Sequence, residues 1–129
     1  MAARWHTPQH SENVYLSLVL PVYNEAPNLP LQHQRIVEAM EGHDYRWEVI
    51  YVDDGSTDGS DAVLEELVHQ DERVIVATQR RNFGKSLALG TGFALASGEV
   101  IVTMDGDLQD EPNAIPDLLD SLNEGYDVA

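Results

Sequence analysis

Four apolar runs punctuate this chain, and the stretch between each pair is long enough for a helix. They are Tyr15-Leu-Ser-Leu-Val-Leu-Pro-Val-Tyr23, Trp47-Glu-Val-Ile-Tyr-Val52, Arg73-Val-Ile-Val-Ala-Thr78 and Glu99-Val-Ile-Val-Thr-Met104. Short runs of aliphatic and β-branched residues bounded by turn residues read as strands buried on both faces. Parallel strands need crossovers of a dozen or more residues, whereas hairpins need only a few. The spacing therefore selects a parallel α/β sheet and excludes an antiparallel meander.

The intervening segments read as helices. Asn28 is a candidate N-cap for the first, which runs to about Met40 with Leu31, Ile36, Val37 and Met40 inward, and Gly42 ends it. The second runs from about Asp58 to His69 and buries Ala62, Val63, Leu64, Leu67 and Val68. The third runs from Ser86 to Ser97 and stops at Gly98. Gly90 and Gly92 inside it cost about 1 kcal/mol each relative to alanine. Close approach to the sheet or a ligand explains them, and so does simple tolerance. A fourth helix starts at Pro112 or Asn113, passes Leu118, Leu119 and Leu122, and stops at Gly125; Tyr126 to Ala129 resembles the start of a fifth strand. The order β-α-β-α-β-α-β-α-β predicts a doubly wound, mostly parallel, Rossmann-like sheet with right-handed connections. Residues 1–13 read as a flexible leader and residues 14–129 as one domain. Because the chain stops as a strand begins, a C-terminal part is expected to be missing.

Charge removes several function classes. The net charge is −16, which opposes a nucleic-acid-binding surface. Without cysteine there is no disulfide framework, zinc-thiolate site or thiol nucleophile. No stretch approaches the ~20 apolar residues of a membrane-spanning helix, so the chain as given is expected to be soluble. The five histidines (His6, His10, His33, His43, His69) show no ligand spacing and read as surface residues.

Ligands of open parallel sheets sit outside the carboxyl ends of the strands. Three informative loops fall there: residues 21–28, 53–60 and 105–112. In the last, Asp105 and Asp107 flank Gly106 at the end of an extended run, so their carboxylates point to one side. Hard oxygen ligands there suit Mg2+ or Mn2+ shared with a diphosphate. Such an ion turns the repulsion between carboxylates and an anionic diphosphate into attraction. Asp53 and Asp54 can accept hydrogen bonds from a base N–H or ribose hydroxyls, and Glu25 or Tyr23 can complete a base pocket. Each signal has a plain alternative. Asp-Asp-Gly-Ser-Thr-Asp-Gly is also good turn and cap chemistry, an isolated Asp-x-Asp is common in surface turns, and Tyr23 can be core.

Arg80, Arg81 and Lys85 are three of the seven basic residues. Beside a helix N-terminus they can hold phosphate, or simply balance an acidic surface. Gly84-Lys85-Ser86 is not a P-loop ending, because the earlier glycine would have to stand at Gln79. An aspartyl phosphatase places Asp-x-Asp on its first strand, and a signalling receiver places its acidic pair after the first strand. A nucleotidyltransferase has a glycine-rich basic loop where this chain has Asn24-Glu-Ala-Pro27. None fits.

Leu18-Val-Leu-Pro-Val-Tyr-Asn-Glu25, Val52-Asp-Asp-Gly-Ser-Thr-Asp-Gly-Ser60 and Asp105-Gly-Asp107 together resemble signature stretches of family 2 glycosyltransferases of the GT-A fold. The resemblance runs from about Val14 to Ala129. Arg81-Asn-Phe-Gly-Lys85 and Asp105-Gly-Asp-Leu-Gln-Asp110 are similar to the polyprenol-phosphate branch. That branch includes dolichol-phosphate mannose synthases and bacterial enzymes acting on undecaprenyl phosphate. The resemblance implies transfer of a sugar from a UDP- or GDP-sugar to a polyprenyl phosphate, with inversion and a divalent ion. It implies that Pro21, Tyr23, Glu25, Asp53 and Asp54 line the nucleotide, that Asp105 and Asp107 are catalytic and hold metal and diphosphate, that Gln109 is a further metal contact, and that Lys85 faces the diphosphate. It further implies membrane association through the missing part, on the cytoplasmic side, and an inactive fragment. A saccharide-acceptor relative and a non-catalytic acidic metal- or nucleotide-binding module stand as alternatives.

Overall fold

The computed structural model describes residues 2–4, 14–41 and 43–104. Its strands are β1 (Ala2–Arg4), β2 (Leu16–Val22), β3 (Trp47–Asp54), β4 (Val74–Gln79) and β5 (Val100–Thr103), and its helices α1 (Leu29–Met40), α2 (Ser60–Gln70) and α3 (Lys85–Leu95). They form one sheet in the order β1-β4-β3-β2-β5. All neighbours are parallel except β1, which runs antiparallel to β4 with Ala2 opposite Thr78. Of the stretch expected to be a loose leader, only these three residues are described, and they pair. Edge pairing uses backbone groups alone, so no side-chain pattern announced it.

The chain builds outward from β2 through β3 to β4, then returns to the other side of β2 for β5. That reversal sends α3 to the opposite face from α1 and α2. Period-two alternation makes the two layers: Leu16, Leu18, Leu20, Val49, Tyr51, Val74 and Val76 pack with Leu29, Ile36 and Met40 of α1 and Leu64 and Leu67 of α2. Val19, Ile50, Val52 and Ala77 pack with Ala88 of α3. Each such aliphatic side chain contributes about 1.5–3 kcal/mol relative to exposure. Gly92 rests directly on β2, where a Cβ would collide with Val19 Cγ1; Gly90 has open space around it. Close approach to the sheet explains Gly92, and nothing here explains Gly90.

Several expectations need correction. Leu31 and Ala62 are exposed, and Val63 and Val68 only half-buried, because the stripes facing the sheet run through Leu29, Ile36 and Met40 and through Leu64 and Leu67. Asn28 occupies the N-cap of α1 without a side-chain cap bond; its Nδ2 donates to Glu25 Oε2 instead, at 2.8 Å. His33 is not a surface residue. It is 7% exposed, with Nδ1 2.7 Å from the Tyr51 hydroxyl and Nε2 2.9 Å from Asp71 Oδ2. Arg73 completes the cluster, donating from Nε to Asp71 Oδ1 at 2.9 Å and lying 4.1 Å from the Trp47 ring. Burial pushes the Asp71 carboxyl up, but hydrogen bonds from His33 and Arg73 outweigh it and hold the group well below the usual carboxylate range. Burial, then the Asp71 charge, pushes the Tyr51 phenol above its ordinary value.

The expected fourth helix, the fifth strand and residues Asp105, Asp107 and Gln109 lie outside the described residues. Met104 N donates to Val19 O at 3.0 Å, so the described chain ends beside β2 at the carboxyl edge of the sheet. Among the described residues, no helix is long and apolar enough to cross a membrane.

Candidate functional site

β2, β3 and β4 all deliver their following loops to one edge because they run parallel. The sequence of the second loop then ties the first to it. Three successive backbone amides of the first loop donate to its side chains: Asn24 N to Ser56 Oγ at 2.9 Å, Glu25 N to Ser60 Oγ at 3.1 Å, and Ala26 N to Asp58 Oδ2 at 3.1 Å. The tie is reciprocal, since Thr57 N donates to Asn24 Oδ1 at 2.8 Å. Asn24 itself has φ 53°, in the left-handed region that asparagine tolerates better than most side chains. Ser60 Oγ also donates to Asp58 Oδ1 at 2.6 Å. That bond, with the N–H groups of Ala26 and Ser60, holds the Asp58 carboxyl below its ordinary range. Ser56, Asp58 and Ser60 are thus braces, which resolves the structural half of the Asp-Asp-Gly-Ser-Thr-Asp-Gly-Ser reading.

The other half of that motif lies at the end of β3. Asp53 is buried, and its Oδ1 accepts from Ser56 N at 3.0 Å. Asp54 is 4% exposed and reaches across to the third loop. Its Oδ1 accepts from Phe83 N at 2.8 Å and from Gln79 Nε2, and its Oδ2 accepts from Gly84 N at 3.0 Å. Gly55 allows the loops to meet. Its φ is 74°, and a Cβ on it would collide with the backbone of Arg81 and Asn82.

The structure therefore brings the sequence candidates of three loops to one rim. Tyr23 is 45% exposed there, which removes the core reading for it. Glu25 is half-buried on the same loop, and Pro21 is half-buried near the end of β2 before it. Lys85 opens α3 immediately after Gly84, with Arg80 and Arg81 exposed on the loop before it. Phe83 is 45% exposed and carries the Arg81 guanidinium 4.9 Å from its ring centre. Among the described residues, no group of three or more His, Asp or Glu is placed to hold a metal ion. Gln79, absent from the sequence candidates, joins this rim through its bond to Asp54. Its signal was a polar residue closing an otherwise apolar strand.

A doubly wound sheet with acidic and basic loops gathered at its carboxyl edge defines a Rossmann-like α/β domain, whose ligands sit at that edge. The chain belongs to glycosyl transferase family 2, whose pattern residues 17–129 match. It is similar to the undecaprenyl-phosphate 4-deoxy-4-formamido-L-arabinose transferase of Proteus mirabilis, with 41% identity over 114 residues, 88% of this chain and 35% of that protein. Its structure is similar to a mannosyltransferase from Pyrobaculum calidifontis in complex with GDP-Man and Mn2+, with a TM-score of 0.64 and 30% identity over 81% of this chain and 31% of that one. TarS of S. aureus shares the fold, with a TM-score of 0.68 at 21% identity over 86% of this chain and 33% of that one. The chain thus spans about a third of the length of the arabinose transferase and of the mannosyltransferase that it matches.

Proposed function

We propose that this chain is the donor-binding part of an inverting, metal-dependent glycosyltransferase that moves a sugar from a UDP- or GDP-sugar to a polyprenyl phosphate. The observation that carries the reading is the bracing of three strand-end loops into one rim, with Asp53 and Asp54 at its centre and Lys85 at its side. Similarity to a transferase named for undecaprenyl phosphate supports the lipid acceptor, and similarity to a structure holding GDP-Man and Mn2+ supports the donor and the ion.

In this reading Pro21, Tyr23 and Glu25 receive the base, Asp53 serves base and ribose, and Asp54 lines the nucleotide from beneath by holding the third loop in place. Lys85 meets the diphosphate at the positive end of α3. Asp105, Asp107 and Gln109 would hold Mg2+ or Mn2+, a donor set of hard oxygens that fits such an ion. When bound, the ion stabilises charge on the departing nucleoside diphosphate. The bond from sugar carbon to donor phosphate breaks as an oxygen of the acceptor phosphate bonds to the opposite face of that carbon. A phosphate monoester is already anionic, so little general-base help is required. The full-length protein would act at the cytoplasmic side of the membrane.

Calorimetric titration of UDP- and GDP-sugars with Mn2+ into the chain and its Asp107→Ala variant tests this. Manganese-dependent binding in the wild type, lost in the variant, is the expected result. Equal binding without metal would sink the metal bridge, and no binding of either donor would sink the donor site.

A further inference from the structure

We infer that Gln79 is a positioning residue for the donor diphosphate, acting by fixing the Asp54 carboxylate that holds the loop in front of α3. The inference rests on the function proposed above. Gln79 ends β4 and is 4% exposed. A carboxylate only accepts, so the amide nitrogen of Gln79 must be the atom facing Asp54 Oδ1. Its Oε1 is thereby turned to α3, where it lies 3.4 Å from Thr91 Oγ1, whose one hydroxyl proton is shared with Leu87 O at 3.1 Å. A buried amide whose nitrogen faces a carboxylate cannot flip without turning its own oxygen onto that carboxylate.

The consequence passes to Asp54. With Oδ1 fixed by Gln79, the carboxylate presents Oδ1 to Phe83 N and Oδ2 to Gly84 N. Gly84 is the residue before α3, so these two bonds set where the first turn begins and where Lys85 stands. The same loop carries Arg81 stacked on Phe83 and lies over Gly55. The apolar layer below, Val52, Ala77 and Ala88, is buried independently of this polar chain. Leucine, close to glutamine in size, fills the same volume without the polar link.

The test compares the wild type with Gln79→Leu by two measurements. Titration in Mn2+ gives Kd for UDP and GDP and for uridine and guanosine, and the ratio isolates the contribution of the diphosphate. Amide hydrogen exchange at Phe83 and Gly84 reads the loop directly. Gln79→Leu is expected to weaken the diphosphate by about tenfold, the scale of one charge-assisted hydrogen bond, and to leave the nucleoside Kd within about twofold. Exchange at the two amides should quicken by about tenfold while β3 keeps its protection. A parallel loss of nucleoside affinity would reduce Gln79 to a structural role and overturn the inference, as would unchanged exchange. If the wild type binds no nucleotide, the function reading fails, and the exchange measurement still decides whether Gln79 holds the loop. If the leucine variant does not fold, Thr91→Val removes the hydroxyl at the far end of Gln79, together with its bond to Leu87 O. It should weaken the diphosphate by about threefold, and an unchanged ratio would overturn the inference.

Discussion

Glu48 and Asp54 stand on the same strand and face the same layer, one at each end of α3. Both are buried carboxylates, at 3% and 4% exposure, and both accept backbone amides from the loops that flank the helix. Asp54 takes Phe83 N and Gly84 N in front of α3. Glu48 takes Ser97 N at 2.8 Å behind it, together with the hydroxyls of Ser17 at 2.6 Å and Ser97 at 3.0 Å. The helix dipole separates the two. Asp54 lies at its positive end, where a carboxylate is favoured by electrostatics alone. Glu48 lies at its negative end and needs two hydroxyl donors as well, while Gly98 N donates to Ser17 Oγ at 2.8 Å behind them. One clasp closes on Ser17 and Ser97. The other holds a loop whose basic residues face outward at the ligand edge.

The largest effect expected from breaking this contrast comes from Glu48→Ala. It leaves the buried Ser17 hydroxyl without its acceptor, frees the Ser97 amide, and should cost about 3 kcal/mol in urea unfolding. The nucleotide affinity of the folded fraction should stay unchanged, and a matching loss of affinity would mean that the two edges are not separable. Gly55→Ala is the complementary test. Positive φ and the collision with Arg81 should cost about 2 kcal/mol and displace the third loop, so nucleotide affinity falls by more than stability alone explains.

Asp71→Asn probes the far edge on the opposite layer, with an effect of about 1–2 kcal/mol at neutral pH. The Asp71 carboxyl lies below the range of an unfolded chain, so its contribution is full above about pH 4 and is lost as the pH falls below that value. Wild type and variant should therefore converge in stability on acidification; a constant gap would contradict the role of His33 and Arg73. The smallest effect belongs to Asn24→Gly, which keeps the left-handed backbone and removes the acceptor for Thr57 N. It should cost roughly 0.5 kcal/mol and about a twofold loss in nucleoside affinity, while Asn24→Ala should cost more on both counts.

The four parallel strands and three of the helices were legible because period and turn chemistry are local properties of sequence. The gathering of the 21–28 and 53–60 loops was legible too, since it follows from strand direction. What escaped depends on partners far away in the chain. The histidines show no ligand spacing among themselves, whereas Tyr51 and Asp71, the partners of His33, come from β3 and the turn before β4. The position of His33 on the stripe of Leu29, Ile36 and Met40 could have revealed its burial. Glu48 interrupts the otherwise apolar run of β3, and that mismatch was the available sign of an enclosed carboxylate. The braces from Ser56, Asp58 and Ser60 were read as turn formers, because sequence alone does not show which neighbouring amides they serve.

The register of β5 carries a consequence for the timing of synthesis. Leu16 pairs with Val100 and Val19 with Thr103, so one flank of β2 is completed by residues made near the end of the described chain. Until those residues leave the ribosome, β2 presents a bare hydrogen-bonding edge of strongly apolar sequence, the kind of surface that recruits other strands. The growing chain must wait, or be guarded, at the strand on which the rest of the sheet is built.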